Sequence, residues 1–306
     1  MKIGLVLGGG DNTLDEAVEA YVRAERDGFA SAWQANIFGM DALTVLAMAG
    51  RATKRIELGV AVVPTYPRHP HALAQQAATV NVVTGGRLAL GIGRSHQLVI
   101  EGMFGLSYDK PLTHMREYLT VLRSLINEGN CSLEGKQYRV NASLSIAGAS
   151  PFPILIGALM PGMLKICGEL CDGTLTWMTG PKTLEQRIVP LINAAASGAG
   201  RPAPRVICSL PVCVTDQPDA ARETAARIFE HYGYLPVYRA CLDEEGAAGP
   251  ADVAVVGSED EVRAGLERVR DAGATDFYGN VFKSGASGED STRRTYDFLA
   301  SLGGGV

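Results

Sequence analysis

The chain has 306 residues, of which 46% are apolar and 20% are charged, and its formal net charge is −5. This balance fits a globular protein with a sizeable core, and an acidic chain without a basic block argues against nucleic-acid binding. No apolar run is long enough to span a bilayer, and the amino-terminal segment passes directly into an acidic helix pattern, unlike a signal peptide. We therefore expect a cytoplasmic protein that binds neither nucleic acid nor a membrane.

Eight apolar segments typical of buried strands alternate with helical segments along the chain. The predicted strands span residues 2–7, 31–34, 56–63, 88–91, 154–156, 173–177, 206–214 and 276–282. The predicted helices span residues 14–27, 41–51, 71–84, 112–128, 183–196, 220–231, 259–272 and 291–302, and another begins at Pro161. This regular alternation predicts an α/β protein with a parallel sheet and right-handed crossovers.

Eight strands in this order fit a closed (β/α)8 TIM barrel with insertions. No linker divides the chain, so we predict a single domain over residues 1–306. A doubly wound open sheet is the alternative, because counting strands does not establish closure. After the fourth strand, residues 97–111 look irregular and residues 132–140 indicate a hairpin outside the main sheet. Residues 232–250, after the seventh strand, also look irregular.

The carboxyl ends of barrel strands are where ligands bind. Here these ends carry mostly apolar and aromatic residues, together with glycines that offer only their backbone, such as the glycines at 8–10. They hold no cluster of carboxylates, no metal-ligand spacing, no nucleophile elbow and no Schiff-base lysine. The six cysteines include no CxxC pair, so we interpret them as buried, reduced thiols. The pattern disfavours hydrolysis and metal catalysis, and it favours a planar organic cofactor that carries the reactivity itself.

The segment 154–177 has the form strand, Gly-Ala-Leu turn, helix, strand. Pro161 suits the first turn of the helix, where its missing N–H costs nothing. A helix that begins after a strand presents free N–H groups and the positive end of its dipole, so this turn is a candidate phosphate or carboxylate site. Judged from this segment alone, a turn that binds no ligand is an equally good interpretation.

His96 is the leading candidate for catalysis. It follows the Gly-x-Gly end of the fourth strand, and an ordinary histidine pKa of ~6.5 suits proton donation. A histidine that only hydrogen-bonds cofactor or backbone is the alternative. Trp177 either covers a cofactor ring or packs in the core. His69 and His71 favour helix capping, and the remaining two histidines favour surface or core positions.

Three segments of the chain, together with the strand DFYGNVF, resemble the luciferase-like monooxygenase superfamily. Within it, they resemble the coenzyme F420-dependent oxidoreductases. The segments are GVAVVPTYPRHPHALAQQAATVNVVTGGRLALGIGRSH, LTHMREYLTVLRSLINEG with SLEGKQYRV, and PILIGALMPGMLKICGELCDGTLTWM. The resemblance implies a (β/α)8 barrel and a hydride-transferring oxidoreductase acting on a small organic molecule. It also implies a homodimer, for which the apolar second and third helices are the predicted interface.

The resemblance further assigns a cofactor site. It implies a bulged third strand at Val60-Ala61, often with a non-prolyl cis peptide, backing the deazaflavin ring. Phosphate would bind the backbone of Gly157, Ala158 and Leu159. The remaining residues that the resemblance and strand positions place around the cofactor are Asn36, Val62, Gly93, His96, Met163 and Trp177. His96 is the predicted catalytic residue, no metal site is expected, and Tyr232, Tyr234 and Tyr238 are candidates for the substrate side.

Two alternatives stay open at the level of sequence. The same fold uses reduced FMN in monooxygenases, and some superfamily members are non-catalytic flavin-binding proteins. The family's sugar-phosphate dehydrogenases carry an Asp-His pair after the second strand and a glutamate after the Gly-x-Gly. The corresponding positions here are Asn36-Ile37 and His96, which argues against a sugar-phosphate substrate.

Overall fold

A closed parallel barrel forms the body of the protein. The computed structural model describes residues 1–7, 12–284, 288–303 and 305–306, so the predicted strand end at 8–10 lies outside the described residues. The strands are β1 (Lys2–Leu7), β2 (Ser31–Gln34), β3 (Glu57–Pro64), β4 (Leu88–Gly93), β5 (Asn130–Glu134), β6 (Arg139–Ser143), β7 (Ile154–Ile156), β8 (Gly173–Trp177), β9 (Arg205–Ser209), β10 (Pro211–Val214), β11 (Val255–Gly257) and β12 (Asp276–Val281). The order β1-β2-β3-β4-β7-β8-β9-β12, with β12 paired back to β1, closes the barrel and confirms the predicted (β/α)8 architecture.

Helices surround the barrel. They are α1 (Leu14–Arg26), α2 (Ala42–Ala52), α3 (Pro70–Val83), α4 (Pro111–Glu128), α5 (Pro161–Leu170), α6 (Pro181–Thr183), α7 (Val189–Gly198), α8 (Pro218–Ile228), α9 (Pro236–Glu245), α10 (Glu259–Asp271) and α11 (Gly288–Ser301). Short π-helical turns span Leu98–Met103 and Leu184–Ile188, and 3-10 turns span Glu230–Gly233 and Pro250–Val253. Apolar side chains on α2 and α3, such as Met48 and Val82, are exposed, and the homodimer stays a prediction.

The seventh predicted strand, 206–214, is divided in the structure. Its first part, β9, pairs with β8 and β12 inside the barrel. Its second part, β10, pairs further along β12 and with the additional strand β11. Strand β11 was not predicted, and it pairs with β10 outside the eight strands of the barrel.

The two segments predicted as irregular contain helical structure. Residues 97–111 include the π-helical turn, and residues 232–250 include α9, so both predictions were wrong in this respect. Helix α9 is fixed largely by polar contacts: Glu245 accepts hydrogen bonds from the N–H of Thr183 at 2.6 Å, and Arg187 pairs with Glu244 at 2.9 Å. A helix anchored in this way does not show the broad apolar stripe that sequence reading depends on.

The predicted hairpin is confirmed as the antiparallel pair β5–β6, although it extends beyond 132–140. Its turn is held from α4 by the carboxylate of Glu117, which accepts hydrogen bonds from the N–H groups of Lys136, Gln137 and Tyr138 at 2.9, 2.7 and 2.9 Å. The hairpin therefore packs beside the barrel as part of the insertion after β4.

The barrel interior is filled by side chains. Trp33 stacks on Tyr278 with ring centres 5.2 Å apart, and both are buried. A Cβ at Gly59 would lie 2.1 Å from the Trp33 ring, so only glycine leaves room for this indole. Because the interior is packed, the open space for a ligand lies at the mouth of the barrel.

The opposite end of the barrel is closed by an ion network. Arg205 at the start of β9 donates two hydrogen bonds to Glu57 at 2.8 Å each, across the barrel on β3. It also donates to Asp276 of β12 at 2.6 and 3.2 Å. Both pairings keep the pKa of Arg205 above its ordinary value, against the effect of burial. This end therefore has a structural role.

Candidate active site at the carboxyl end of the barrel

The third strand carries the predicted bulge. The pairing of β3 with β4 shifts in register between Val60 and Val63. The non-prolyl cis peptide joins Ala61 to Val62, one residue beyond the predicted Val60-Ala61 bond. Val60 is buried, whereas Ala61 and Val62 are half-buried and face the barrel interior.

Two of the predicted glycines meet this bulge. A Cβ at Gly93 would lie 2.5 Å from Cγ2 of Val62, so glycine is required for this close approach. A Cβ at Gly157 would meet only Cγ1 of Val62, at 3.9 Å, which leaves open space beside the turn. The structure thus brings Val62, Gly93 and Gly157 together, as the sequence predicts.

The start of α5 has no capping side chain. The N–H of Gly157 is already bonded to the carbonyl of Ile92 at 2.9 Å, and that of Ala158 contacts Oγ1 of Thr174 at 3.3 Å. The N-cap residue Met160 makes no side-chain cap. Within the described part of the chain, four N–H groups have no acceptor, and they belong to Leu159, Met160, Gly162 and Met163. The candidate anion site therefore starts at Leu159, because the N–H groups of Gly157 and Ala158 already have acceptors.

Two further predicted residues have structural contacts. Met163 is 3% exposed and its side chain belongs to the main core, so its backbone rather than its thioether is available to a ligand. Asn36 is half-buried, and its Oδ1 accepts a hydrogen bond from the N–H of Ala42 at 3.0 Å. This bond fixes the loop between β2 and α2 at the mouth.

His96 lies against an aromatic wall. Its ring is 5.8 Å from that of Tyr238 on α9, and Tyr238 is 5.1 Å from Tyr232. Tyr232 meets the edge of Trp177 at 5.6 Å. Burial lowers the pKa of His96, and the positive charges of Arg94 and His231 lower it further. A pKa lowered in this way favours the neutral ring near pH 7, which can donate and accept hydrogen bonds.

Sequence reading did not single out Tyr278 or Arg94. Tyr278 faces inward because alternate residues of a barrel strand do, and that signal was present in the DFYGNVF segment. Arg94 makes no ion pair or hydrogen bond with the described residues, and its guanidinium lies 5.9 Å from the centre of the Tyr108 ring. No sequence pattern separates such an arginine from an ordinary surface residue.

A second aromatic cluster lies between β3, α4 and the hairpin. His114 stacks on Tyr66 at 3.9 Å, shares a hydrogen bond with Thr65 at 2.9 Å through Nε2, and contacts the hydroxyl of Tyr138 at 3.4 Å. His69 caps α3 as predicted, since its Nδ1 accepts from the N–H of His71 at 3.2 Å. Of the surface and core positions expected for His114, the structure shows the core position.

His114 makes stability depend on pH. Burial lowers its pKa to about 4, whereas the unfolded chain binds the same proton near ~6.5. Between these values the unfolded state holds more protons, so we expect the free energy of unfolding to fall by about 2 kcal/mol as pH drops from 7 to 4.5. Urea unfolding at both values measures this. His114→Gln should reduce this fall in the free energy of unfolding, whereas His231→Gln, at an exposed site, should not. An equal fall in the wild-type protein and both variants would show that His114 is not its cause.

Neither a metal site nor a membrane span is present among the described residues. Among the described residues, no three histidine, cysteine or acidic side chains are grouped as a metal site would require. In the same part of the chain, no helix has the length and apolar character needed to cross a membrane. The six cysteines are free and buried, as predicted.

The fold defines a (β/α)8-barrel protein, and its candidate site lies at the carboxyl ends of the strands. The family model described as luciferase-like monooxygenase matches residues 1–276. The chain therefore belongs to the luciferase-like monooxygenase family.

One relative in sequence and two solved structures show what the chain is similar to. A Mycobacterium tuberculosis protein provisionally assigned as a coenzyme F420-dependent oxidoreductase is 31% identical and covers 83% of this chain and 76% of its own. The coenzyme F420-dependent tetrahydromethanopterin reductase of Methanopyrus kandleri superposes with a TM-score of 0.81 at 24% identity, over 99% of this chain and 97% of that one. An FMN complex of the oxygenating constituent of 3,6-diketocamphane monooxygenase, from Pseudomonas putida, gives a TM-score of 0.77 at 17% identity, over 98% and 96%.

Proposed function

We propose that this protein is a coenzyme F420-dependent oxidoreductase that transfers a hydride between C5 of the deazaflavin and a small organic substrate. The observation that carries the proposal is the uncapped start of α5, which lies beside the bulge of β3. Similarity to the mycobacterial relative supports the choice of cofactor.

The residues at the mouth fit a flat ring with a phosphate-bearing tail. The free N–H groups from Leu159 onward, together with the positive end of the α5 dipole, suit a phosphate. Gly157 adds no side chain that would fill this corner. Ala61 and Val62 offer a half-buried apolar surface of the kind that backs a ring, and Gly93 allows that surface to form.

When bound, the reduced cofactor supplies the hydride. The protein's own residues then position the acceptor and exclude water. Trp177, Phe229 and Tyr232 form the apolar side of the mouth, with Trp177 5.8 Å from Phe229 and 5.6 Å from Tyr232. His96, neutral at pH 7, orients the polar group of the substrate.

FMN is the second candidate cofactor, favoured by the likeness to the FMN-bound monooxygenase. Fluorescence titration of the purified protein with F420 and with FMN separates the two. We expect F420 to bind with a micromolar dissociation constant, and FMN at least about tenfold more weakly. Tighter binding of FMN would transfer the proposal to a monooxygenase, and failure to bind either flavin would reject it. Tight binding of F420 without oxidation of its reduced form by any acceptor in a panel would support the alternative of a non-catalytic flavin-binding protein.

A further inference from the structure

Helix α9 brings a second polar group to His96. Tyr238 is half-buried, and its ring lies 5.8 Å from that of His96 at an angle of 56°. Within the described residues, neither the Tyr238 hydroxyl nor the His96 ring has a hydrogen-bond partner. Two adjacent polar groups without protein partners, at the mouth of an enzyme barrel, are suited to a ligand heteroatom.

The position of Tyr238 is fixed from the outer side of α9. Glu245 accepts hydrogen bonds from the N–H groups of Lys182 and Thr183 at 3.3 and 2.6 Å. Arg187 pairs with Glu244 at 2.9 Å and donates to Sγ of Cys241 at 3.1 Å. These bonds tie both the middle and the end of α9 to the segment after β8, so Tyr238 is held against the barrel rather than carried on a loose loop.

The surroundings of this pair are apolar and carry little charge. The ring contacts of His96 and Tyr238 lead to other aromatic rings and not to a carboxylate or a lysine; among the described residues these rings are Tyr232, Trp177, Phe229, Phe282 and His231. The charged or titratable neighbours of His96 are Arg94, which lies over the ring of Tyr108, and the exposed His231. Those of Tyr238 are the uncharged groups Tyr232, Cys241 and Tyr278.

The rim of the mouth continues this apolar character. Leu98, two residues after His96, is 76% exposed, and Ile37 and Phe38 after β2 are each 66% exposed. Exposed apolar side chains of this kind favour contact with the apolar part of a ligand, because the contact removes both surfaces from water.

We propose that the substrate is an uncharged, mainly apolar compound with a carbon–oxygen or carbon–nitrogen double bond, and that its heteroatom is held between His96 and Tyr238. Tyr238 is the catalytic residue that gives the proton. The substrate carbon receives the hydride, the π bond breaks, its electron pair stays on the heteroatom, and this atom takes the proton from the Tyr238 hydroxyl. Solvent then reprotonates the tyrosinate, with His96 as relay. The inference rests on the proposed function for the source of the hydride.

Binding of prodan, an uncharged naphthyl ketone, tests the site without turnover. We expect its emission to shift to the blue on binding, and its dissociation constant to rise about fivefold in Tyr238→Phe and in His96→Ala, because each loses one hydrogen bond. Tyr296→Phe is the matched control: its hydroxyl donates to Asp27, near the other end of the barrel, at 2.9 Å. Unchanged affinity in both site variants, or tighter binding of naphthoate than of prodan, would overturn the proposal.

Turnover of reduced F420 with benzaldehyde tests the proton transfer. Tyr238→Phe should lower kcat about 100-fold, remove the solvent isotope effect and leave the affinity for F420 unchanged. Formylbenzoate, the charged counterpart, should have a higher KM than benzaldehyde. An undiminished kcat or a retained isotope effect in Tyr238→Phe would exclude its catalytic role. If the wild-type protein does not bind F420, the proposed function is rejected instead. The difference in prodan affinity between wild-type protein and site variants does not depend on that result.

Discussion

Replacing Gly157 with aspartate is expected to weaken the binding of coenzyme F420 about 100-fold, equivalent to ~2.7 kcal/mol. The new side chain fits, because only Cγ1 of Val62 would lie near its Cβ, at 3.9 Å. Its carboxylate would repel a phosphate at about 5 Å by roughly 3 kcal/mol at an effective dielectric constant of 20, and it would also occupy the free N–H groups itself. Fluorescence titration of the variant against the wild-type protein measures the loss.

Two control variants separate charge from shape. Gly157→Ala adds a Cβ without charge and should change affinity less than about threefold, since it meets only an ordinary van der Waals contact. Gly198→Asp adds the same charge at the end of α7, where nothing lies within 4 Å of a Cβ, and should leave binding unchanged. An F420 affinity in Gly157→Asp equal to that of Gly198→Asp would place the phosphate elsewhere.

Replacing Arg205 with methionine is expected to destabilise the protein by about 3 kcal/mol at pH 7. The substitution keeps an apolar stem but leaves Glu57 and Asp276 without their shared cation, and the Asp276 side chain is only 4% exposed. Because Arg205 on β9 and Glu57 on β3 lie on opposite sides of the barrel, the loss acts on barrel closure as well as on a single contact. The midpoint of urea unfolding, with an unchanged slope, measures the effect.

Arg139→Met is the matched control for this loss. Arg139 also pairs with a carboxylate, Glu134 at 2.9 Å, but the two side chains are 80% and 77% exposed. An exposed pair of this kind contributes little, so we expect a change below about 0.5 kcal/mol. Restored stability in the combination of Arg205→Met with Glu57→Gln and Asp276→Asn would show that the uncompensated carboxylates cause the loss. Equal, small effects of Arg205→Met and Arg139→Met would contradict the role of the network.

The barrel strands were predictable because each is short, apolar and followed by a helix. Some capping residues can also be recognised from sequence spacing: Ser258 and Glu261, three positions apart, form a capping box at the start of α10. The reading failed at α9 and at the division of β9 from β10, where polar anchoring and strand pairing over long sequence distances decide the structure. Local periodicity carries no information about either.

The candidate site was predictable to a similar extent. The turn at Gly157 and the end of β4 at Gly93 could be recognised, because a glycine or an uncapped helix start follows directly from the order of residue types. The bulge lies where it was predicted, and the non-prolyl cis peptide lies one residue beyond the predicted bond. The sequence does not show which N–H groups of this turn are free. Those of Gly157 and Ala158 are bonded to Ile92 and Thr174, which lie on neighbouring strands.

The sequence by itself determined the alternation of strands and helices, the family resemblance and the absence of acid–base clusters at the strand ends. These depend on residue types and spacings a few positions apart. Only the tertiary structure decided that the sheet closes, that Arg205 reaches Glu57 across the barrel, and that α9 sets Tyr238 beside His96. Each of these contacts joins residues more than 100 positions apart, and local sequence patterns do not encode such distances.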